Sequence, residues 1–283
     1  MSRAGLAKNS VAFAVGGGTT QDVATLAFSL YMRGLKWTFL PTSLVAMMDS
    51  SIGGKSSINH AGRKNLVGNF FPPNSIVIDP NFVEGQTRIG LMCGLAEGIK
   101  IAFARGPDFL AAFLENPAAT RPRAGRDLDE LIGLTLGAKA WFIEKDEFDT
   151  GLRRLLNFGH TFGHAIEAAS HYMVPHGLAV AIGMLAAIDL ADQATLPFVS
   201  DLEAYLVWLV RGSYEKGHPV LPSIDWTLFS QSIADDKKHS PTQFFFILPN
   251  KSGRLEIRGF PREKKTLARA TSAVQRTLER IDL

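Results

Sequence analysis

The sequence predicts an α/β part followed by a mostly α-helical part. A short apolar run at residues 11–15 leads directly into the glycines at 16–18, and apolar residues with helical spacing follow at 23–32. A strand, a glycine turn and a helix in this order form half of a βαβ unit. From about residue 84 onward, periodic Leu, Ala and Glu positions indicate helices instead. We therefore expect an incomplete Rossmann-like sheet in residues 1–83 and a helical domain in residues 84–283.

The remaining elements follow from the same periodicity arguments. Residues 37–40 and 76–78 are predicted to be strands of the sheet. The Gly-, Ser- and Asn-rich stretch 49–74 between them is predicted to be a long loop, and a loop of that length usually carries function. Helices are predicted over 91–114, 128–143 and 159–192, a late strand over 244–248, and a closing amphipathic helix over 263–281.

The composition narrows the class of protein. The 283 residues are 46% hydrophobic and 20% charged, which is an ordinary globular balance. Cys93 is the single cysteine, so an internal disulfide is excluded and a reducing cytoplasm is expected. We find no signal-peptide pattern and no run of about 18 apolar residues, so we expect no membrane partner.

The charge pattern argues against a nucleic-acid partner. The net charge is only +3, and the Lys and Arg residues are scattered. A nucleic-acid binder more often shows a basic stripe with aromatic residues. A pocket for a small phosphorylated substrate needs only a few cations, so the charge pattern is compatible with such a substrate.

The glycine turn is a candidate anion site. Adjacent glycines let the backbone approach a ligand, and a helix N-terminus favours an anion. A tight turn without a ligand is the alternative, since the spacing departs from the common dinucleotide fingerprint.

A metal site is the second candidate. His160 and His164 stand at i and i+4, a metal-compatible spacing on a helix, and His176 follows. One carboxylate with two or three histidines can form a catalytic zinc site. Glu97 and Lys100 lie three residues apart, and by themselves they suggest a surface ion pair.

A phosphate or hydroxyl site is the third candidate. Lys55 follows two glycines in the segment 49–55, and Lys64 and Asn65 come soon after. The alternative interpretation of this segment is a solvated loop.

Taken together, the motifs resemble those of the 3-dehydroquinate synthase family of sugar phosphate cyclases. They occur in the family's order from residue 16 to about residue 238: GGGTTQD, YMRG, PTSLVAMMDSSIGGKSSIN, RKNLVGNF, GLAEGIK, EKDEFDTGLRRLLNFGHTFGHAIE, PHGLAVAIGM and DDKK. The resemblance implies the family's two-part fold, with an NAD-binding part and a metal- and substrate-binding helical domain.

The resemblance also implies roles for individual residues. The implied metal ligands, for Zn²⁺ or alternatively Co²⁺, are Glu97, His160 and His176. The implied NAD-binding residues are Gly16, Gly17, Gly18, Asp22, Thr42, Ser43, Asp49, Ser50 and Lys64. The implied catalytic and substrate-binding residues are Asp49, Lys55, Lys64, Asn65, Lys100, Lys139, Arg153, Asn157, His164 and Lys238, with Arg33 lent across a homodimer interface.

The implied activity is conversion of a seven-carbon sugar phosphate, 3-deoxy-arabino-heptulosonate 7-phosphate, to 3-dehydroquinate and phosphate in the shikimate pathway. Three alternatives stay open: another sugar phosphate cyclase of the inosose or valiolone type, a metal-dependent polyol or glycerol-phosphate dehydrogenase, and an inactive, truncated paralogue.

Two kinds of departure from the family pattern carry expectations of their own. The glycine turn begins at residue 16, earlier than in the family, so we expect an incomplete NAD-binding part with an exposed strand edge. Leu178 replaces the usual Glu after His-Gly, and Asn69 replaces a small residue. These two positions bear on which sugar phosphate is bound, whereas the other motifs imply the type of reaction.

Overall fold

In a computed structural model, the chain is described over residues 5–60, 63–191, 197–214 and 223–282. Within these ranges, the side chains at 59–60, 63–65, 197 and 282 lie outside the description.

The first part of the chain forms a small parallel sheet. Strand β1 (Val11–Gly16) is followed by helix α1 (Gly18–Leu30) and strand β2 (Lys36–Pro41). After a hairpin formed by β3 (Lys55–His60) and β4 (Arg63–Phe70), the short strand β5 (Ser75–Ile76) returns to the sheet. The strand order is β1-β2-β5, with Phe13 opposite Thr38 and Thr38 opposite Ser75. This confirms the glycine turn and the predicted strands at 11–15 and 37–40, whereas only Ile76 of the predicted strand at 76–78 belongs to β5. Helix α1 begins five residues before its apolar pattern does.

The predicted long loop is partly wrong, because its central part forms the β3–β4 hairpin. The two strands pair antiparallel, with Lys55 opposite Phe70 and Ser57 opposite Gly68. Their sequence mixes polar and apolar residues without strict alternation, so periodicity does not reveal the strands. The hairpin packs against α1 instead of joining the parallel sheet.

Helices dominate the rest of the chain. They are α2 (Arg88–Arg105), α3 (Pro107–Glu115), α4 (Arg126–Lys145), α5 (His160–Ala169), α6 (His176–Ala191), α7 (Pro197–Gly212), α8 (Trp226–Ala234) and α9 (Lys264–Asp282). Strands β6 (Gln243–Pro249) and β7 (Leu255–Pro261) form an antiparallel pair. The predicted helix over 91–114 is divided at Gly106 and Pro107, and the one over 159–192 is divided by a turn at His171 and Tyr172, whose φ angles are positive.

Helix α6 forms the centre of the largest core. It is buried nearly all round and packs against α2, α5, α7 and α9. Its contact with α5 is close enough that a Cβ on Gly183 would lie 2.1 Å from the carbonyl oxygen of Gly159. A glycine is therefore required where the two helices that carry the histidines cross.

The two parts of the chain share this core. Leu44, Met47 and Met48 pack against α2, although they precede the expected boundary near residue 84. Ala46–Ser50 forms a short π-helix at this junction, a rare conformation that is common at functional sites. Within the described residues, no helix has the length and apolarity needed to cross a membrane.

Candidate active site

A cavity of about 1210 Å³ opens between the glycine turn, the hairpin and the helices. Fourteen of the residues to which the resemblance assigns roles line it: Gly18, Asp22, Ser43, Asp49, Ser50, Lys55, Glu97, Lys139, Arg153, Asn157, His160, His164, His176 and Lys238. These residues come from positions as distant in sequence as Gly18 and Lys238. The fold therefore brings the three sites predicted from the sequence, for an anion, a metal and a phosphate or hydroxyl group, into one cavity.

A buried charge network forms the inner wall of this cavity. Nζ of Lys100 donates to Oδ2 of Asp49 at 3.0 Å and to Oε2 of Glu97, and Lys139 pairs with Asp49 from the other side. Glu97 and Lys100 are 1% and 2% exposed. The sequence-based expectation of a surface ion pair is therefore wrong, because α2 is buried over most of its length.

The network fixes the protonation of its members. Burial alone would raise the pKa of Asp49, but the ammonium groups of Lys100 and Lys139 outweigh burial and lower it. The pKa of Glu97 lies well below its ordinary value for the same reason, with Lys100 and His176 opposing burial. Burial lowers the pKa of Lys139, whereas Asp49 and Glu97 overcome burial at Lys100 and raise its pKa. Both carboxylates are therefore ionised and face the cavity as acceptors.

Three histidines form a cluster at the cavity, and one of them, His176, lies beside Glu97. The ligand atoms of His160, His164 and His176 all fall within 4.8 Å of one another. Nδ1 of His160 lies 3.3 Å from the carbonyl oxygen of Phe158, which can only accept, so Nε2 of His160 is the atom left with a lone pair. Burial and the nearby charge of Lys100 hold the pKa of His160 well below its ordinary value, which keeps this ring neutral.

The donor set fits a zinc-type metal. Oε1 of Glu97 is buried, no well-formed hydrogen bond satisfies it within the described residues, and it lies 3.3 Å from Nε2 of His176. Two ligands about 2.0–2.1 Å from a tetrahedral zinc are themselves about 3.3 Å apart. Carboxylate and imidazole ligands with room for a further group are typical of catalytic zinc.

The glycine turn fits an anionic group of a nucleotide. Gly17 caps α1 without a side-chain hydrogen bond, so the first N–H groups of the helix stay open. A Cβ on Gly17 would lie 3.1 Å from Oγ of Ser43, so there is little room for a side chain at this position. The N–H of Thr42 donates to the carbonyl oxygen of Gly16 at 2.9 Å and holds the turn against the end of β2. Asp22 accepts from the N–H of Ser57 at 2.9 Å, and burial raises its pKa.

Further cations line the cavity. Lys55 pairs with Asp149, and Nζ of Lys238 donates to Asp236 at 3.1 Å. The guanidinium of Arg153 donates to the carbonyl oxygens of Glu147 and Gly53. These groups provide several positive charges within one chamber, a composition suited to a phosphate.

Some predicted positions do not line the cavity: Gly16, Gly17, Arg33, Thr42 and Lys100. Arg33 is exposed, has a φ of 63°, and is absent from the cavity wall. Lys64 and Asn65 belong to β4, but their side chains lie outside the described part of the chain. Leu178 is fully buried in the core, whereas Asn69 lines the cavity and bonds to Ser56 and Ser29.

The sequence reasoning missed three residues that support the site. Gln21 is 3% exposed and exchanges two hydrogen bonds with Ser50, at 2.6 and 2.7 Å, which tie α1 to the π-helix. Asp149 forms an ion pair with Lys55, one of the predicted substrate-binding residues. Glu167 lies 3.2 Å from Nδ1 of His176, and its spacing of seven residues from His160 was a visible signal.

Family models match most of the chain. The N-terminal model of 3-dehydroquinate synthase matches residues 1–91 and the C-terminal model matches residues 94–239. The chain belongs to the 3-dehydroquinate synthase family. The fold and the resemblance expected from the sequence are thereby confirmed.

Individual relatives agree with this membership. The 3-dehydroquinate synthase of Latilactobacillus sakei subsp. sakei is 40% identical over 228 residues, which cover 80% of this chain and 61% of the relative. That of Dehalococcoides mccartyi strain BAV1 is 35% identical over 251 residues, covering 88% and 69%. The structure of ValA, a 2-epi-5-epi-valiolone synthase from Streptomyces hygroscopicus subsp. jinggangensis with NAD⁺ and Zn²⁺ bound, matches with a TM-score of 0.80 and 26% identity over 99% of this chain and 77% of ValA. The chain thus spans 61–69% of the length of the two curated relatives.

Proposed function

We propose that this protein is a 3-dehydroquinate synthase, a lyase that releases phosphate from 3-deoxy-arabino-heptulosonate 7-phosphate and closes the carbocycle of 3-dehydroquinate. One observation carries the proposal. The ionised pair Asp49 and Glu97, the histidine cluster and the cations at Lys55 and Arg153 share one cavity. Family membership supplies the type of reaction, and this arrangement supplies a place for each part of a sugar phosphate.

We assign the metal to Glu97, His160 and His176, with Zn²⁺ as the expected ion and Co²⁺ as an alternative. NAD is assigned to Gly16, Gly17, Gly18, Asp22, Thr42, Ser43, Asp49, Ser50 and Lys64. When bound, NAD would accept and return a hydride and the metal would polarise substrate oxygens. The relative ValA, solved with NAD⁺ and Zn²⁺, supports the choice of these two cofactors.

The protein's own contribution is positioning and charge. Asp49 is held ionised by Lys100 and Lys139, so its carboxylate accepts hydrogen bonds from hydroxyl groups brought into the cavity. Lys55, Arg153 and Lys238, with Asn157 and His164 beside them, surround the space where a phosphate would lie. Fixed charges of this kind stabilise a leaving phosphate without reorganisation during the reaction.

Lys55 and Arg153 have more donors than their contacts in the described part of the chain use. The ammonium of Lys55 has three N–H groups and pairs with Asp149, and the guanidinium of Arg153 has five and donates to two backbone carbonyls. A bound phosphate would therefore add charge-assisted hydrogen bonds to the existing contacts.

We also propose a homodimer in which Arg33 reaches a partner's cavity. Met32 and Arg33 both have positive φ angles, an unfavourable conformation that presents Arg33 outward. Mixing inactive Arg33→Ala and Lys55→Ala chains should restore part of the activity. No recovery after proven subunit exchange would contradict the shared site.

Two further proposals concern organisation and location. A boundary near residue 84 would separate the nucleotide-binding part from the helical domain, and the two family models meet close to it, between residues 91 and 94. A cytoplasmic location agrees with the free thiol of Cys93.

The test is a direct assay with three readouts. The purified chain receives 3-deoxy-arabino-heptulosonate 7-phosphate, NAD⁺ and Zn²⁺, and phosphate, 3-dehydroquinate and NADH are measured. We expect phosphate and 3-dehydroquinate in equal amounts and no net NADH. Phosphate release only from other sugar phosphates would indicate an inosose- or valiolone-type cyclase. Accumulating NADH would indicate a dehydrogenase, and no turnover of any substrate would indicate an inactive paralogue.

A further inference from the structure

The site assigned above leaves one buried acidic residue without a role. Glu167 is 4% exposed and belongs to α5, seven residues after His160 and three after His164. Residues at i, i+4 and i+7 share one face of a helix. The face of α5 that carries two histidines therefore also carries this carboxylate.

His176, the first residue of α6, stands between two carboxylates. Its Nδ1 lies 3.2 Å from Oε2 of Glu167, and its Nε2 lies 3.3 Å from Oε1 of Glu97. The two ring nitrogens thus face different acids. Glu97 borders the cavity, whereas Glu167 is not among its lining residues.

We propose that Glu167 is a positioning residue, which holds His176 with Nδ1 protonated so that Nε2 is presented to the metal. Oε2 of Glu167 lies 3.2 Å from Nδ1 of His176, and an N–H on that ring nitrogen is the donor that a carboxylate oxygen can accept. With a hydrogen on Nδ1, the ring nitrogen that can offer a lone pair to a metal is Nε2, on the side of Glu97. The added negative charge also makes the imidazole a stronger ligand.

The turn that leads to His176 supports this role. The carbonyl oxygen of Glu167 accepts from the N–H of Tyr172 at 2.7 Å, and Oγ of Ser170 accepts from the N–H of Val174 at 3.2 Å. His171 and Tyr172 take positive φ angles to make this return possible. The backbone and the side chain of Glu167 therefore both restrain the segment that places His176.

The two expected histidine ligands differ in what supports them. A backbone carbonyl faces Nδ1 of His160, whereas a carboxylate faces Nδ1 of His176. A carbonyl cannot be removed by substitution, but the carboxylate can. Glu167 is therefore the position at which the outer support of the metal site can be tested.

The experiment compares Glu167→Ala and Glu167→Gln with the unaltered protein and with Glu203→Gln. Glu203 is a well-matched control, because it is also a largely buried glutamate in an ion pair, with Arg280 at 2.8 Å, but does not line the cavity. The zinc dissociation constant is measured by chelator competition, and the visible spectrum of the Co²⁺-substituted protein reports the ligand geometry. Thermal unfolding of the metal-free proteins measures any structural effect separately.

We expect the zinc dissociation constant to rise about 10- to 100-fold in Glu167→Ala, the usual effect of losing an outer-shell partner. Glu167→Gln should show a smaller rise, since an amide oxygen can still accept a hydrogen bond without the charge. Both variants should alter the Co²⁺ spectrum, and Glu203→Gln should alter neither property.

The proposal is overturned if the folded variants keep the zinc affinity within about twofold and the Co²⁺ spectrum unchanged, even when their thermal stability falls. If Glu167→Ala does not fold, Glu167→Gln alone decides. The inference rests on the proposed metal site, and the two fail differently. An unaltered protein that binds no zinc removes the metal site, whereas equal binding by protein and variants removes only the role of Glu167.

Discussion

The region before residue 86 and the region after residue 87 bury their apolar residues in different ways. The sheet region (residues 5–85) packs Trp37 and Phe39 against α1 on one face, while Phe13 on the other face is 66% exposed. In the helical region (residues 88–282), other helices pack around α6, so that α6 is buried nearly all round. The glycine turn at the cavity therefore belongs to a sheet with only one buried face, whereas the proposed metal ligands belong to helices packed in a core.

This difference implies that the two halves of the site can be disturbed separately. The metal ligands and their supporting charges are fixed by packed helices, with Asp49 as the main charged link from the sheet region. The glycine turn depends on β1, which pairs with β2 alone among the described strands. Changes in the helical region should affect metal binding first, and changes in the open sheet face should leave it intact.

The largest effect is expected from His160→Ala, which removes a proposed ligand at the start of α5. Zinc and cyclase activity should be lost together, because the remaining groups do not complete the coordination. Metal content by atomic spectroscopy and phosphate release provide the measurements. His171→Asn, at an exposed histidine outside the cavity, serves as the control, because asparagine tolerates the positive φ angle of this position. Full zinc occupancy in His160→Ala would refute the ligand assignment.

A second large effect is expected from Lys100→Met, which breaks the charge network joining the two regions. The change leaves Asp49 and Glu97 close together without the ammonium between them, and losing one partner of a buried ion pair costs about 3–5 kcal/mol. Urea unfolding of the metal-free protein would measure this cost.

The matched control for Lys100→Met is Arg276→Met, which breaks the ion pair with Asp189 on the surface. Arg276 is 57% exposed, so its loss should cost less than about 1 kcal/mol. Equal costs for the two substitutions would show that the wall of the cavity is not a closed, buried network.

A smaller, pH-dependent effect is expected at Asp146, whose carboxylate accepts the backbone N–H groups of Thr150, Gly151 and Arg153. Desolvation raises the pKa of Asp146, but these donors together outweigh it and lower the pKa to about 2. The folded value lies below the ordinary value of 3.8, so the stabilisation is present above about pH 4 and is lost as the pH falls towards 2. Asp146→Asn should therefore lose less stability over that interval than the unaltered protein.

Urea unfolding at a series of pH values measures this difference, with Asp129→Asn on the exposed side of α4 as the control. Parallel curves for Asp146→Asn and the unaltered protein below pH 4 would show that the turn before Arg153 does not depend on the Asp146 carboxylate.

The sequence patterns predict correctly the strands and helices whose apolar residues have regular spacing. Strand β1, strand β2 and the long helices carry clear periodicity, and the glycine turn lies between the first strand and its helix. The β3–β4 hairpin was missed because its strands pack against α1 with a mixed polar pattern, which resembles a loop.

The site could be predicted as a set of residues but not as an arrangement. Spacing alone suggested a surface pair for Glu97 and Lys100, since tertiary burial of α2 is not visible in a three-residue interval. Glu167 and Gln21 were missed for a similar reason. Each supports another residue through a contact between elements, His176 on α6 and Ser50 in the π-helix, and such contacts exist only after folding.

The smallest effect on stability is expected from Phe13→Thr on the open face of the sheet. Phe13 is 66% exposed, so its replacement removes apolar surface from water without opening a cavity, and threonine suits a strand. The free energy of unfolding should change by less than about 0.5 kcal/mol, zinc affinity should stay the same, and solubility should rise. Phe39→Ala, on the buried face of the neighbouring strand, should instead cost about 3–5 kcal/mol. Urea unfolding and sedimentation of both variants provide the comparison. If Phe13→Thr were as destabilising as Phe39→Ala, or changed the association state, the sheet face that carries Phe13 would be covered in solution. The sheet would then be buried on both faces.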